Sequence, residues 1–168
     1  RQMCIRDRIK VKVKGVPRNA DLQHRTGYFL PRGYTDRSGI EKQLITAQQV
    51  VSGQAGGDLG TRAIAPPFLV PGAKAYVPVL IEVSGPSLLN GHEGDVLPVE
   101  IYGYAMDEQG TVRGYFARNL GFNVSSAGPV LSNNGVKYWG HFDLDPGVYT
   151  LRIFARNSAT GASGLDVV

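Results

Sequence analysis

Short segments in which apolar and polar residues alternate recur along the chain, and this period of two predicts β-strands. Residues 9–14 (IKVKVK) alternate strictly between apolar and cationic side chains, and residues 22–29 continue as a second strand. After residue 57 the pattern predicts about seven strands with no helix among them. These strands cover residues 61–70, 76–83, 95–106, 111–124, 130–131 with 136–144, 148–156 and 165–168.

A helical period interrupts the strands once. Ser38 and Glu41 stand three residues apart, and this spacing is typical of a capping box at a helix N-terminus. Apolar residues then follow at helical spacing, which predicts a helix over about residues 38–52: Ile40, Leu44, Ala47 and Val51. The next segment, residues 52–57 (SGQAGG), predicts the end of the helix and a flexible linker.

The turn residues favour one fold class. The chain has 22 glycines and 10 prolines, which separate the β-branched and aromatic segments. The sequence therefore predicts a mainly β protein, an immunoglobulin-like antiparallel β-sandwich over residues 58–168 preceded by a β-hairpin and one short helix. Asn134-Gly135 predicts a hairpin turn. Tyr149 follows Asp145-Pro-Gly at the start of a strand and resembles a tyrosine corner.

The first eight residues, RQMCIRDR, do not look like natural coding sequence. Their reverse translation resembles the end of a sequencing adapter, so we interpret residues 1–8 as an adapter artefact and residues 9–168 as an interior fragment. Excluding them lowers the formal charge from +4 to +2 and removes the single cysteine. Residues 43–168 carry seven basic and ten acidic side chains, which argues against nucleic-acid binding.

We predict no catalytic, cofactor-binding or metal-binding residues. The histidines His24, His92 and His141 have no partner at metal-ligand spacing, and we interpret them as surface or structural residues. Asp143 and Asp145 are a weak candidate for calcium, but the same pattern is common in turns. No apolar run is long enough to span a bilayer.

Three further patterns have simple interpretations. Gly53–Gly60 has no Lys-Ser/Thr and follows a helix, so it is not a phosphate-binding loop. Asn123-Val-Ser125 matches a glycosylation acceptor. We expect most of the aromatic side chains to belong to the core rather than to a ligand platform: Tyr102, Tyr104, Tyr115, Phe116, Tyr138 and Trp139.

Four segments together resemble bacterial VWFA-related proteins, which contain a von Willebrand factor type A domain. They are residues 9–14, Arg25-Thr-Gly-Tyr-Phe29, Leu144-Asp-Pro-Gly-Val-Tyr-Thr-Leu-Arg152 and the loop Arg156–Gly161. The resemblance implies that residues 9–32 are the terminal strands of a truncated type A domain. Residues 33–57 would then be a connecting helix and linker, and residues 58–168 a sandwich whose last strand is cut short. Asp36-Arg-Ser-Gly-Ile40 departs from the family's Asp-x-Ser-x-Ser metal loop at its fifth position.

The resemblance implies a non-catalytic structural or binding module of a secreted or cell-envelope protein. Its partners would be a protein or glycan at the cell surface and its own upstream type A domain. One alternative is a carbohydrate-binding sandwich. Three or more coplanar exposed aromatics on one face would favour this alternative, and burial of every aromatic would rule it out. A further alternative is an accessory domain of a hydrolase, which needs His92 or His141 beside a carboxylate in a pocket.

Overall fold

The computed structural model describes residues 33–168. The predicted artefact at residues 1–8 and the predicted strands within residues 9–32 lie outside the described residues. The described part forms three helices, α1 (Gly39–Ser52), α2 (Gly85–Leu89) and α3 (Val124–Asn134). It also forms eight strands, β1 (Gly56–Gly57), β2 (Thr61–Ile64), β3 (Ala75–Val83), β4 (Val96–Asp107), β5 (Val112–Asn123), β6 (Val136–Leu144), β7 (Tyr149–Asn157) and β8 (Ser163–Val167).

The strands form two antiparallel sheets that pack face to face. The larger sheet has the order β1-β8-β7-β4-β5, and the smaller sheet has the order β2-β3-β6. Strands β2, β3 and β6 thus occupy one sheet, and β4, β7 and β8 lie in the other. If β2 is counted as the first strand, this matches the separation of strands A, B and E from strands C, F and G in immunoglobulin-like sandwiches. Strand β5 pairs with β4 and extends the second sheet. The predicted mainly β, immunoglobulin-like sandwich is confirmed.

The core lies between the sheets and is built by the inward-facing alternate residues of the long strands. In β3 these residues are Val77, Val79, Ile81 and Val83, and all are buried. On β4 they are Leu97, Val99, Ile101 and Ala105, and β7 adds Leu151 and Ile153. Because alternate side chains point to opposite faces of a strand, the remaining residues of each strand point away from this core.

The tyrosine corner is present. The Tyr149 hydroxyl donates a hydrogen bond to the backbone oxygen of Asp145 at 2.9 Å. Tyr149 begins β7 and packs against the core. The hydrogen bond therefore ties the turn between β6 and β7 to the strand that follows it.

The expectation that residues 58–168 contain no helix was wrong. Residues 130–131, predicted as a strand, belong to α3, which has Asn123 as its N-cap: the Asn123 Oδ1 accepts a hydrogen bond from the Ser126 N–H at 3.2 Å. Gly135 ends this helix at φ +66°, and its N–H donates to the Leu131 oxygen at 2.8 Å. Asn-Gly here ends a helix, because a glycine with positive φ suits a helix terminus as well as a hairpin turn.

The predicted strand over residues 61–70 was too long. Strand β2 ends at Ile64, and beyond it only Phe68 makes an isolated bridge, to Tyr76. The interruption is Pro66-Pro67, because proline has no N–H to donate to a sheet. The other predicted strands are confirmed to within two residues at each boundary.

Helix α1 forms where the sequence predicted it. The Ser38 N–H donates to Glu41 Oε2 at 2.7 Å, and the Glu41 N–H donates to Ser38 Oγ at 3.3 Å, so both halves of the capping box are present. The glycine-rich segment after the helix contributes to the sandwich, because β1 pairs with Gly164 and Leu165 of β8.

Candidate binding surface

The outer face of the three-stranded sheet carries a row of apolar side chains. Ile64 of β2 is in register with Leu80 of β3, and Leu80 is in register with Trp139 of β6. Residues directly opposite each other in antiparallel strands have Cβ atoms about 4.5–5.5 Å apart. The three side chains therefore lie side by side across the whole width of the sheet.

This apolar row is open to solvent. Ile64 is 63% exposed, Leu80 is 49% exposed and Trp139 is 63% exposed. The row lines a shallow groove of about 470 Å³. Single exposed apolar residues are normal on protein surfaces, whereas contiguous ones commonly mark contact sites.

A charged row borders the apolar one. Arg62, Glu82 and Lys137 are in register across the same three strands, two residues from the apolar row on each strand. All three are exposed. Within the described residues none of them forms an ion pair at 4.0 Å or less. The groove therefore has a positive–negative–positive edge whose charges are available to a partner.

Aromatic rings continue this face toward the other end of the sheet. The ring centroids of Phe68 and Tyr76 are 6.5 Å apart, and those of Tyr76 and His141 are 5.3 Å apart. The ring planes are inclined by 41° and 37° respectively. These three rings are therefore not coplanar, and they lack the arrangement that would favour a carbohydrate-binding sandwich.

The aromatic residues singled out in the sequence have three different environments. Phe116 and Tyr138 pack against the main core, as expected. Tyr102 and Tyr104 pack against a second apolar cluster of Val50, Phe154 and Leu165 between α1 and the larger sheet. Tyr115 is 55% exposed beside Tyr104, and Trp139 belongs to the open apolar row.

Helix α1 covers part of the outer face of the five-stranded sheet, over β7 and β8, and a buried ion pair holds the helix there. Arg156 of β7 donates from Nε to Glu100 Oε2 of β4 at 2.9 Å, and its Nη2 also contacts Glu100. Arg156 Nη1 donates to Thr46 Oγ1 of α1 at 2.6 Å and to the Lys42 oxygen at 3.2 Å. The Arg156 and Glu100 side chains are only 7% and 19% exposed.

A second arginine of β7 holds the other end of the helix. Arg152 Nη1 donates to the Val50 oxygen at 2.6 Å and to the Val51 oxygen at 2.8 Å. These carbonyls lie in the last turn of α1, where a helix has unpaired acceptors and a partial negative charge. Arg152 and Arg156 are four residues apart on β7 and thus hold α1 at two points along its length.

Burial beneath α1 changes the acidity of nearby tyrosines. Burial, followed by the negative charge and hydrogen bond of Glu100, raises the pKa of Tyr102 to about 12. The Tyr102 hydroxyl donates to Glu100 Oε2 at 3.1 Å. Burial also raises the pKa values of Tyr34 and Tyr104.

The predicted histidines are not brought together. His24 lies outside the described residues, and His92 lies in the loop after α2, where neither ring nitrogen has a hydrogen-bond partner among the described residues. His141 Nε2 is 3.9 Å from Asp143 Oδ2, but both side chains are more than half exposed. This carboxylate–histidine pair lies on the open sheet face rather than in an enclosed pocket.

The calcium and glycosylation candidates have other contacts. Asp145 pairs with Lys74, with Nζ and Oδ2 3.7 Å apart. Within residues 33–168 no three metal-ligating side chains of histidine, cysteine, aspartate or glutamate are grouped. Asn123 is the N-cap of α3, as described above. The described helices include none long and apolar enough to cross a membrane.

The hydrophobic pattern of the sequence did not identify Ile64 and Leu80 as surface residues. The segment 76–83 (YVPVLIEV) is almost continuously apolar, so its pattern does not show which side chains point outward. The available signal is register: Leu80 stands one residue from buried Val79 and Ile81, and therefore points to the opposite face.

No family model matches the chain, and no curated protein matches it. Among solved structures, a β-glucuronidase from Bacteroides uniformis is similar, with a TM-score of 0.44 and 13% identity over 64% of this chain and 12% of that chain. A β-glucuronidase from glycoside hydrolase family 2 is similar over 63% of this chain and 11% of that chain, with a TM-score of 0.38 and 9% identity. The chain therefore spans only 12% and 11% of the lengths of these two solved structures.

Proposed function

We propose that this chain is a non-catalytic binding module of a secreted or cell-envelope bacterial protein, and that it contacts its partner through the outer face of the three-stranded sheet. The observation that carries the proposal is the exposed row of Ile64, Leu80 and Trp139. The order of the four sequence segments that resemble VWFA-related proteins supports the further proposal that the chain belongs to that family. The upstream type A domain is then the first partner to test.

The chemistry of the row favours a protein partner. Two of its three members are aliphatic, and aliphatic side chains pack against apolar protein surfaces. Tryptophan is among the residues that commonly supply a large share of binding energy at an interface. The charged edge of Arg62, Glu82 and Lys137 would then form the polar rim that selects a partner with the complementary charge order.

A glycan is the second candidate. The observation that favours it is the exposed indole of Trp139, because an aromatic face is amphipathic and suits contact with a sugar ring. The tilted rings of Phe68, Tyr76 and His141 do not extend that surface as a plane. A glycan would therefore contact mainly one ring.

The single tryptophan allows a direct binding test. The fluorescence of Trp139 is followed while the type A domain encoded at the native locus is added, and separately while soluble xylan, laminarin or mannan is added. Binding at the open face shifts the emission to shorter wavelength. Leu80→Ala should weaken binding of the protein domain at least tenfold, and Val112→Ala, an exposed apolar residue of the other sheet, should leave it unchanged.

The outcomes separate the candidates. A shift with a polysaccharide alone supports the glycan, and equal weakening by Leu80→Ala and Val112→Ala would place the contact elsewhere. No shift with either class of probe contradicts the binding role proposed for this face.

The family assignment has its own test. Long-read sequencing of the native locus across the codons for Arg8 and Ile9 should show an upstream type A domain with an Asp-x-Ser-x-Ser loop behind a signal peptide. If RQMCIRDR is encoded there with no such domain upstream, both the artefact interpretation and the family assignment are wrong.

A further inference from the structure

Strand β5 forms one edge of the five-stranded sheet. Within the described part of the chain it pairs with β4 on one side and has no strand partner on the other, which we call the open edge. The strand is 12 residues long. An edge strand presents a row of backbone N–H and C=O groups that can pair with another chain.

The backbone groups of alternate residues in β5 point to the open edge. The Val124 N–H donates to the Asp95 oxygen at 2.9 Å, so Val124 faces the β4 side. Because every second residue of an antiparallel strand bonds to the same neighbour, the even-numbered residues from 114 to 122 also face β4. The residues between them, which we call the edge residues, face the open edge: Tyr115, Ala117, Asn119 and Gly121. Three of them are exposed, and Ala117 is half-buried.

Two features of β5 protect part of this edge. The register with β4 shifts beside Arg113, which has no partner on β4. Arg118 Nη1 donates to the Ala117 oxygen at 2.8 Å and thereby occupies one acceptor of the open edge. Bulges and charged side chains both oppose edge-to-edge pairing. From Tyr115 to Gly121, however, the register with β4 is regular, so this part keeps the geometry of a strand.

The charge of β5 decides which kind of segment fits it. The strand contains Arg113 and Arg118 and no acidic residue. Arg113 pairs with Asp107, whereas Arg118 is exposed and forms no ion pair at 4.0 Å or less within residues 33–168. Pairing of two β5 strands would bring the arginines of both copies together, and like charges on paired strands are destabilising. The charge therefore favours an acidic segment over a second copy of the chain.

We propose that the open edge of β5 binds an extended, acidic peptide segment of a partner protein by strand addition, with the edge residues supplying the backbone hydrogen bonds. In this mode of recognition, main-chain hydrogen bonds give affinity and alternate side chains give specificity. A carboxylate of the segment draws the Arg118 guanidinium away from the Ala117 oxygen. That oxygen then accepts a hydrogen bond from the added strand.

The neighbours of Arg118 predict the sequence pattern of the segment. Phe116 and Leu120 lie two residues to either side of Arg118, and both are half-buried against the core. Residues directly opposite each other in antiparallel strands have Cβ atoms about 4.5–5.5 Å apart. The segment should therefore place an acidic residue opposite Arg118 and apolar residues opposite Phe116 and Leu120. The expected pattern is apolar-x-acidic-x-apolar.

This inference goes beyond the proposed function, because the open edge of β5 belongs to the larger sheet and the row with Trp139 belongs to the smaller one. It requires neither a type A domain nor a glycan. The two surfaces can therefore be tested separately.

The first experiment selects random dodecapeptides displayed on phage with the full chain as bait, and measures the affinity of enriched peptides by fluorescence anisotropy. The enriched peptides should share the pattern apolar-x-acidic-x-apolar. Ala117→Pro removes one edge N–H without removing a hydrogen bond to β4. It should weaken binding about tenfold or more, because a peptide carbonyl loses its donor.

The matched control is Ala117→Ser, which keeps the N–H and should bind as tightly as the parent chain. Failure to enrich any peptide, or enrichment of peptides without an acidic residue, would overturn the proposal. Equal affinities of the two Ala117 variants would also contradict it. A dimer of the parent chain that Ala117→Pro dissociates, seen by analytical ultracentrifugation, would identify a second copy as the occupant instead.

A second experiment uses the parent chain and does not depend on a variant that folds. Amide hydrogen exchange is resolved by residue with NMR, with and without the enriched peptide. Bound peptide should slow exchange about tenfold or more at the edge residues and change it little at Phe116, Arg118 and Leu120, which already face β4. Slowing elsewhere without slowing at the edge residues would contradict the proposal. Because neither readout involves Trp139, failure here leaves the proposed function unaffected, and failure of the Trp139 titration leaves this proposal unaffected.

Discussion

The two outer faces of the sandwich differ in whether the side chains that point away from the core are covered by another element. On the five-stranded sheet, Arg156 and Glu100 are covered by α1 and paired with each other. On the three-stranded sheet, Ile64, Leu80 and Trp139 are uncovered and face solvent. Charged groups are thus buried on one face and apolar groups are exposed on the other. Residue type alone therefore does not show which face of the sandwich is covered, because coverage depends on where helix α1 packs.

The two faces should also differ in how substitutions change the free energy of unfolding. A buried ion pair must have its hydrogen bonds satisfied to offset its desolvation, so the face under α1 is sensitive to the loss of any partner. An exposed apolar row has no such partners to lose, and its side chains contribute little to folding. Substitutions on the two faces should therefore affect different properties, stability on one and binding on the other.

The largest expected effect is at Arg156. Arg156→Met removes the cation that pairs with Glu100 and contacts Thr46, leaving a largely buried carboxylate without its partner. The free energy of unfolding should fall by about 3–5 kcal/mol, measured by urea denaturation. The double variant Glu100→Gln/Arg156→Met should recover much of this loss. A loss under about 1 kcal/mol in the single variant would show that α1 is not held by this pair.

A smaller loss is expected at Arg152. Arg152→Ala removes two hydrogen bonds to the last turn of α1, which should lower the free energy of unfolding by about 1–3 kcal/mol. Arg113 is the matched control, since its side chain is 56% exposed and pairs with Asp107 on the same sheet. Arg113→Ala should cost about 0–1 kcal/mol. Equal losses in the two variants would contradict the distinct role assigned to Arg152.

Alkaline pH should lower the free energy of unfolding through Tyr102, which lies on the face that α1 covers. The pKa of Tyr102 is raised from 10.0 to about 12 in the folded protein. The unfolded chain therefore loses the tyrosine proton first, so this contribution to stability is present below pH 10 and is lost as the pH rises toward about 12. Tyr102→Phe should make the decline in the free energy of unfolding less steep over this interval, measured by urea denaturation at each pH. An unchanged slope would contradict the raised pKa.

The smallest effect on stability is expected on the open face. Trp139→Ala and Leu80→Ala should each change the free energy of unfolding by no more than about 0.5 kcal/mol, the usual range for surface substitutions. Differential scanning calorimetry of both variants beside the parent protein checks this. A loss of several kcal/mol would show that the row is packed against something and is not an available surface.

Sequence patterns predicted the parts of the fold that depend on local chemistry. The capping box at Ser38 and Glu41 placed α1, and the alternation in β4 and β7 placed those strands. The prediction of a tyrosine corner at Tyr149 was also correct, because its hydrogen bond joins residues only four positions apart. These features are set by interactions within one segment, which a sequence displays directly.

The features that sequence analysis missed depend on distant contacts. Helix α3 was interpreted as part of a hairpin, since Asn134-Gly135 suits both a turn and the end of a helix. The spacing of Ile40 and Leu44 predicted a helix but did not show which way they face, and both are exposed. The exposure of the apolar row at Trp139 could not be predicted from the sequence. Alternation shows which side of the strand a residue faces, but it does not show whether another element covers that side.

The exposure of Trp139 is the most direct test of the contrast between the two faces. As the single tryptophan of the chain, its indole reports on the three-stranded sheet alone, and acrylamide quenching measures its access to solvent. With the indole 63% exposed, the quenching constant of the folded protein should approach that of the protein unfolded in urea. A quenching constant several-fold lower in the folded protein would show that this face is covered, and would contradict the account.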